Sequence, residues 1–304
     1  MAVSFEALMD GAIGRRDGIR AADTDALRLV DGAGDGVPGV VLEDFSGRWL
    51  VSIGDEHPLP GWLMRWLERS HDKRACYHKR LDRHEKDSPE WLCGPRAEEF
   101  FEIRERGVVY EASFVSGYSQ GIFLDQRDNR AEVRARAEAG GRLLNAFAYT
   151  GAFSVCAALG GAETTTLDLS QPYLEWARRN MALNGLNAGA HHFCKGDAFH
   201  WLRRFAKQGR TFDGVVLDPP TFSRDAKGKV FRVERDFGDL AALASAVLAP
   251  DGWMLCCTNF RKLPPAAFER QLLDKLPRGF RASHRPMPED FTDTAYLKSV
   301  WLER

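Results

Sequence analysis

Residues 142–217 read RLLNAFAYTGAFSVCAALGGAETTTLDLSQPYLEWARRNMALNGLNAGAHHFCKGDAFHWLRRFAKQGRTFDGVVL, and this stretch decides the fold. Short apolar runs alternate with helix-length amphipathic segments. The runs at 142–147, 164–169, 190–194 and 212–217 have strand character. The segments 152–159, 171–184 and 198–207 place apolar residues at helical spacing. The alternation continues downstream: a helix over 237–248, a strand over 253–258, a helix over 264–276, and strands over 281–285 and 295–302. Strands alternating with helices predict an α/β architecture, a parallel sheet covered on both faces. Such sheets bind ligands at the carboxyl ends of their strands.

The loops at those ends carry the chemistry. The first strand runs into Asn145-Ala146-Phe147-Ala148-Tyr149-Thr150-Gly151, a tight turn without G-x-G-x-x-G. A pyrophosphate needs close backbone approach at several glycines, so the pattern counts against a dinucleotide and allows a cofactor without phosphate. The second strand ends in Asp168, where a carboxylate can accept both ribose hydroxyls of a nucleoside. Asp168 or Ser170 serves equally as a helix N-cap. Asp197, after the third strand, either meets the exocyclic amine of an adenine or caps the following helix, which begins at Ala198. The fourth strand ends in Asp218-Pro219-Pro220-Thr221-Phe222. Two prolines fix φ and remove donors, leaving a rigid loop with free carbonyls. A carboxylate, bare carbonyls and an aromatic ring can hold a planar base by hydrogen bonds and stacking.

Upstream the reading is different. Residues 26–31, 40–44, 49–53 and 75–79 form short strands, with Ser46-Gly47 as a hairpin turn. Residues 60–70 place Trp62, Leu63, Trp66 and Leu67 on one helical face. Residues 81–86 (LDRHEK) are a charged run expected to be a solvated loop. These features predict a small α+β domain over 1–114, followed by the larger domain over 115–304.

Composition narrows the class. The chain has 304 residues, 44% hydrophobic and 28% charged, with net charge −1. No apolar run approaches a membrane span, and the N-terminus has no secretory pattern, so a cytoplasmic protein is expected. The six cysteines show no C-x-x-C pair and no metal-ligand spacing, so reduced thiols and no bound metal are expected. Net charge does not announce a nucleic-acid binder; any polyanion contact must come from local patches.

Together, Asn145–Gly151, Asp168, Asp197 and Asp218–Phe222 resemble the motifs of class I S-adenosylmethionine-dependent methyltransferases. The resemblance implies a Rossmann-like, seven-stranded fold. It is narrower with the bacterial large-subunit (23S) ribosomal RNA methyltransferases. GIFLDQRDNR (121–130) resembles their G-x-F-L-D-x-R segment. Residues 164–186, DPPTFS (218–223) and FRVERD (231–236) resemble the K-type enzymes, which make 7-methylguanine. ALRLVDGAGDGVPGVVLED (26–44) resembles the small central domain of the I-type enzymes, which make 5-methylcytosine. The chain is expected to lack the PUA domain of the latter.

The resemblance also implies roles. Arg127 would pair the carboxylate of the methionine moiety as a fork, and Asp125 would order that segment. Asn145, Phe147, Tyr149, Thr150 and Gly151 would line the methionine part. Asp168, with Ser170 beside it, would hold the ribose, and Asp197 with Ala198 the adenine. Asp218, Pro219 and Pro220 would face the target base, and Phe222 would stack on it. The expected partner is RNA, 23S ribosomal RNA in particular.

Chemistry separates the acceptor atoms. C5 of cytosine is a poor nucleophile whose methylation requires a thiolate adduct at C6. The I-type cysteine falls where Asn259 stands here, and Cys256 and Cys257 lie inside a predicted strand as core thiols. Guanine N7 is already nucleophilic and carries no proton, so alignment with the methyl donor suffices. Asn259 can read a base edge, and Arg261 and Lys262 can bind phosphate. A continuous basic surface around Arg127, Arg224, Lys227, Lys229, Arg261 and Lys262 would favour RNA, and an enclosed apolar pocket a small molecule or protein. Methylation of an exocyclic amine, and a catalytically idle cofactor- or RNA-binding role, are the remaining alternatives.

Overall fold

The computed structural model describes residues 3–21, 23–54, 59–70, 73–81, 87–224 and 230–304, without the side chains of residues 223 and 224. The charged run at 82–86 lies outside the described residues. The chain divides into two compact units, Met1–Arg127 with Pro288–Ala295, and Asp128–Met287 with Tyr296–Arg304.

The first unit opens with α1 (Phe5–Arg15) and the short α2 (Asp17–Arg20). The Ser4 hydroxyl accepts from the Ala7 N–H at 3.2 Å and caps α1, whose Met9 and Ala12 are buried. Strands β1 (Ala26–Asp31), β2 (Val40–Phe45), β3 (Trp49–Ile53), β4 (Cys76–Arg80) and β5 (Glu90–Cys93) form a sheet in that order. Only β3 and β4 pair in parallel, because α3 (Gly61–Ser70) carries the chain between them. The α3 face expected from its spacing is the buried one, and Trp66 stacks on Trp49 of β3 with centroids 5.5 Å apart. A separate hairpin joins β6 (Phe101–Glu105) to β7 (Val108–Ala112).

Residues 115–127 go with this unit, whereas the sequence placed them in the larger domain. The Lys79 ammonium of β4 holds them: it donates to Gln120 Oε1 at 3.2 Å and sits 4.6 Å from the centroid of the Tyr118 ring. The segment Pro288–Ala295 joins the unit through charge. Asp290 is fully buried and accepts the Arg28 backbone N–H at 2.9 Å. The Asp290 carbonyl accepts from Arg16 Nη2 at 3.0 Å, and the Asp293 N–H donates to Asp31 Oδ2 at 2.8 Å.

The second unit contains α4 (Arg127–Arg136) from its second residue, β8 (Arg142–Ala146), α5 (Ala152–Leu159), β9 (Glu163–Asp168), α6 (Gln171–Leu183), β10 (His192–Lys195), α7 (Ala198–Lys207), β11 (Phe212–Leu217), β12 (Phe222–Arg224), β13 (Val230–Arg232), α8 (Val233–Ser245), β14 (Leu248–Thr258), α9 (Pro265–Leu273), β15 (Arg281–Arg285) and β16 (Lys298–Glu303). Seven strands form one sheet in the order β10-β9-β8-β11-β14-β16-β15, and β16 alone runs antiparallel to its neighbours. The order reverses between β8 and β11, where an open α/β sheet leaves a crevice for ligand. Alternate residues face opposite layers. Leu144, Val215 and Leu217 pack under α7, α8 and α9. Leu143, Val216 and Leu255 pack against Val133 of α4 and Phe153 of α5. Each such side chain contributes roughly 1.5–3 kcal/mol on burial.

Several boundaries differ from expectation, among them the start of β14 at Leu248 instead of residue 253 and the end of α9 at Leu273 instead of residue 276. α8 starts at Val233 instead of residue 237, because Asp236 Oδ2 accepts the Arg232 N–H at 2.8 Å and sets an earlier first turn. The last strand starts at Lys298 instead of residue 295, and Ala295 itself belongs to the first unit. Among the described residues no helix is long and apolar enough to cross a membrane.

Candidate active site

The loop after β8 is tightly bent. Phe147 (φ +59°) and Tyr149 (φ +51°) both adopt the left-handed conformation, at about 1–2 kcal/mol each. Gly151 (φ +75°) follows, and a Cβ there would lie 2.6 Å from the Ala177 Cβ of α6. Only glycine fits this approach. Side chains beneath the loop lock it: Asn145 Nδ2 donates to Ser154 Oγ at 3.0 Å, and Asn180 Nδ2 donates to the Thr150 carbonyl at 2.9 Å.

The bend aims a backbone N–H at the acid after β9. Tyr149 N donates to Asp168 Oδ2 at 2.9 Å and Ser170 N to Oδ1 at 2.8 Å. Burial raises the Asp168 pKa above the usual aspartate range, and these N–H groups offset only part of that rise. Ser170 Oγ accepts from Tyr173 N at 3.4 Å, so Ser170 is the cap of α6. Asp197 caps α7, its Oδ1 accepting from His200 N at 2.9 Å.

A cleft of about 420 Å³ opens over these loops, wholly within the second unit. It brings together Phe147, Asp168, Asp197 and Ala198 of the expected residues. Leu169, Phe199, Arg203 and Phe231 also line it and were not anticipated. Leu169 is 43% exposed, an apolar side chain held out of the core beside a carboxylate. Apolar walls around Asp168 and Asp197 fit a nucleoside: flat faces for the base, carboxylates for hydroxyl and amine donors.

Asp125 and Arg127 are not brought to this cleft and belong to the first unit. Arg127 is only 3% exposed and forks onto both carboxylate oxygens of Asp290. In this structure the carboxylate that Arg127 meets belongs to the chain itself.

The loop after β11 holds Asp218 partly buried, Pro219 buried and Pro220 exposed. Its Thr221 carbonyl accepts from Val233 N at 3.2 Å, tying it to α8. Phe222 is 50% exposed, with the Arg232 guanidinium 5.7 Å from its ring centroid. β14 pairs with β11 in register Leu217↔Cys256, so Asn259 follows at the same end of the sheet. Asn259 is exposed, as are Arg261 and Lys262. Beneath them Lys298 is buried, and its ammonium donates to the carbonyls of Phe260 at 2.7 Å and Tyr296 at 2.9 Å. Burial, and then Arg261, lower the Lys298 pKa. Lys298 went unnoticed because a lysine in a strand-length run carries no motif. Cys256 and Cys257 are free thiols with no exposed surface, and burial pushes the Cys256 thiol far up. Lys227 and Lys229 lie outside the described residues, as does the Arg224 side chain.

Comparison with known proteins identifies the family. The family described as S-adenosylmethionine-dependent methyltransferase matches residues 69–294. The Deinococcus radiodurans protein named ribosomal RNA large subunit methyltransferase is 32% identical, over 98% of this chain and 78% of its own length. Ribosomal RNA large subunit methyltransferase I of Erwinia tasmaniensis is 33% identical, over 93% of this chain and 76% of its own. The solved structure of SMU.776 complexed with SAH superposes with a TM-score of 0.88 at 27% identity, covering 100% of this chain and 83% of that one.

Proposed function

This chain belongs to the S-adenosylmethionine-dependent methyltransferase family, and from that membership we propose that it methylates large-subunit (23S) ribosomal RNA in the cytoplasm, with guanine N7 as the acceptor atom. The names of the Deinococcus and Erwinia relatives support the RNA substrate. One observation carries the choice of atom: the loop ends that face a target base hold a rigid Asp218-Pro219-Pro220 turn and an exposed Phe222, but no available thiol. Methylation at C5 of a pyrimidine needs that thiol.

S-adenosylmethionine supplies an electrophilic methyl on a sulfonium sulfur. Asp168 accepts the ribose hydroxyls, with Ser170 setting the turn beside it. Asp197 and Ala198 meet the adenine edge, and Leu169 and Phe199 cover its faces. The backbone from Asn145 through Phe147 and Tyr149 to Gly151 flanks the methionine part. Asp218 and the two prolines fix the plane of the target base, Phe222 stacks on it, and Asn259 reads its edge. Arg261 and Lys262 take the adjoining phosphates. The N7 lone pair forms the new N–C bond as the S–C bond breaks. The positive charge passes to the purine and no proton is removed, so the protein contributes alignment and exclusion of water. The Asp218 carboxylate beside the base favours the cation that forms.

The test is transfer of labelled methyl to unmodified large-subunit ribosomal RNA, followed by nucleoside analysis. Label in 7-methylguanosine that disappears with Asp218→Ala is the expected result. Label in 5-methylcytidine overturns the acceptor atom, and absence of label from RNA overturns the substrate.

A further inference from the structure

Residues 178–210 contain seven Lys and Arg and a single acid, Asp197, in a chain whose net charge is −1. The second unit places this segment at one edge of its sheet. β10 is the edge strand, and α6 and α7, the helices before and after it, flank that edge.

Many cations elsewhere meet carboxylates, as Arg16 meets Asp35 at 2.7 Å, Arg28 meets Glu43 at 2.8 Å and Lys275 meets Asp239 at 2.8 Å. At this edge Arg178 reaches Glu175 at 3.8 Å and Arg210 reaches Glu163 at 3.7 Å. Lys195, Arg204 and Lys207 are exposed and pair with no carboxylate among the described residues. One aromatic ring, Trp201, meets the Arg204 side chain and the Lys195 backbone. The Trp201 indole N–H donates to the Lys195 carbonyl at 3.1 Å, and the Arg204 guanidinium lies 4.8 Å from the Trp201 ring centroid. Trp201 itself sits against Gly196, where a Cβ would come within 2.8 Å of Nε1. An arginine stacked on a ring keeps its N–H edge free for an anion, and its rotamer is already fixed. Arg203, one residue earlier on α7, lines the cofactor cleft, so the cationic surface starts at the cleft and runs away from it along the helix.

We propose that Lys195, Arg204 and Lys207 form a docking edge for the phosphodiester backbone of the substrate RNA, outside the site that holds the reacting base. This deepens the RNA reading and rests on it for the identity of the polyanion. Phosphate contacts hold a nucleic acid in register without reading sequence, and each one releases counterions and steepens the salt dependence of binding.

The experiment compares the full chain with the triple variant Lys195→Gln, Arg204→Gln, Lys207→Gln. Binding to an unmodified transcript of large-subunit ribosomal RNA is followed by anisotropy from low to moderate salt, beside SAH affinity and thermal stability. In the variant the slope of log affinity against log salt should fall by about 2–3, from about 0.7–0.9 per contact. RNA affinity at low salt should drop at least tenfold, with SAH affinity unchanged. Equal slopes and affinities overturn the proposal. So does a variant that self-associates with unaltered RNA binding, since the charges then serve only to blunt an edge strand. If the wild type binds RNA through this edge yet labels no base, the proposed methylation fails and the docking edge stands.

Discussion

Arg127 and Asp290 stand 163 residues apart in the chain and meet as a buried guanidinium fork on a carboxylate, Nη1 donating to Oδ2 at 3.1 Å and Nη2 to Oδ1. Two charges withdrawn from water are tolerated because each satisfies the other. Asp290→Ala leaves Arg127 charged and buried without that partner, and should cost the first unit about 3–5 kcal/mol. Replacing both, as Arg127→Met with Asp290→Leu, should restore most of the loss. Urea denaturation followed by tryptophan fluorescence measures both. A single-variant loss below about 1 kcal/mol would mean that the pair is solvated.

Acid should unfold the first unit through Asp35. Burial alone would raise the Asp35 pKa. The hydrogen bonds from Arg16, Arg15 and the Asp31 N–H outweigh it and hold the carboxyl below the ordinary value. The unfolded chain then binds the proton more readily, so stability rises with pH in this window. The contribution is complete above the unfolded pKa, about 3.9, and disappears as pH falls through the lower folded value. Asp35→Asn should therefore be less stable at neutral pH and show a flatter acid limb in melts taken from pH 6 downward. An acid limb parallel to the wild type's would remove Asp35 from the account.

Cofactor affinity should carry the signature of Asp168. Its pKa is raised by burial, and only the carboxylate accepts from two ribose hydroxyls. SAH affinity should decline on acidification at a pH above the ordinary aspartate range. In Asp168→Asn it should be roughly 10–100-fold weaker, about 1.4–2.8 kcal/mol, and flat over the same interval. Calorimetric titration of SAH across pH decides this, and a variant with the wild-type pH profile rejects it.

Lys298 should govern the target-base side alone. Lys298→Met removes the donor from the Phe260 and Tyr296 carbonyls, a loss of about 1–3 kcal/mol if they stay buried. The loop bearing Asn259 and Arg261 then loses its anchor. KM for RNA should rise severalfold while SAH affinity stays within about twofold (about 0.4 kcal/mol). Equal loss of both would make Lys298 a residue of general stability.

The second unit was largely legible, for a physical reason. Its strands are short and apolar and its helices amphipathic, so α5, α7 and β11 fall at the residues their periodicity indicates. The first helix was not read, because Gly11 and Gly14 within it lower helix propensity and mask the pattern. Phe147, Asp168, Asp197 and Ala198 were legible as cleft residues because strand ends in such sheets converge on ligand. Arg203 and Phe231 were not, since their place depends on how α7 and β13 pack. Arg127 was placed at the cofactor by the family resemblance, and nothing in local sequence reveals that Asp290 meets it.

The excursion of Pro288–Ala295 into the first unit sets an order on synthesis. A nascent chain that has emerged as far as residue 287 can pair five strands of the second unit's sheet, because β15 pairs only with β16, yet it leaves Arg127 without the Asp290 carboxylate and Arg16 without the Asp290 carbonyl. The part made first is thus finished late. A product truncated in that interval has an amino-terminal unit that lacks the bonds from Pro288–Ala295.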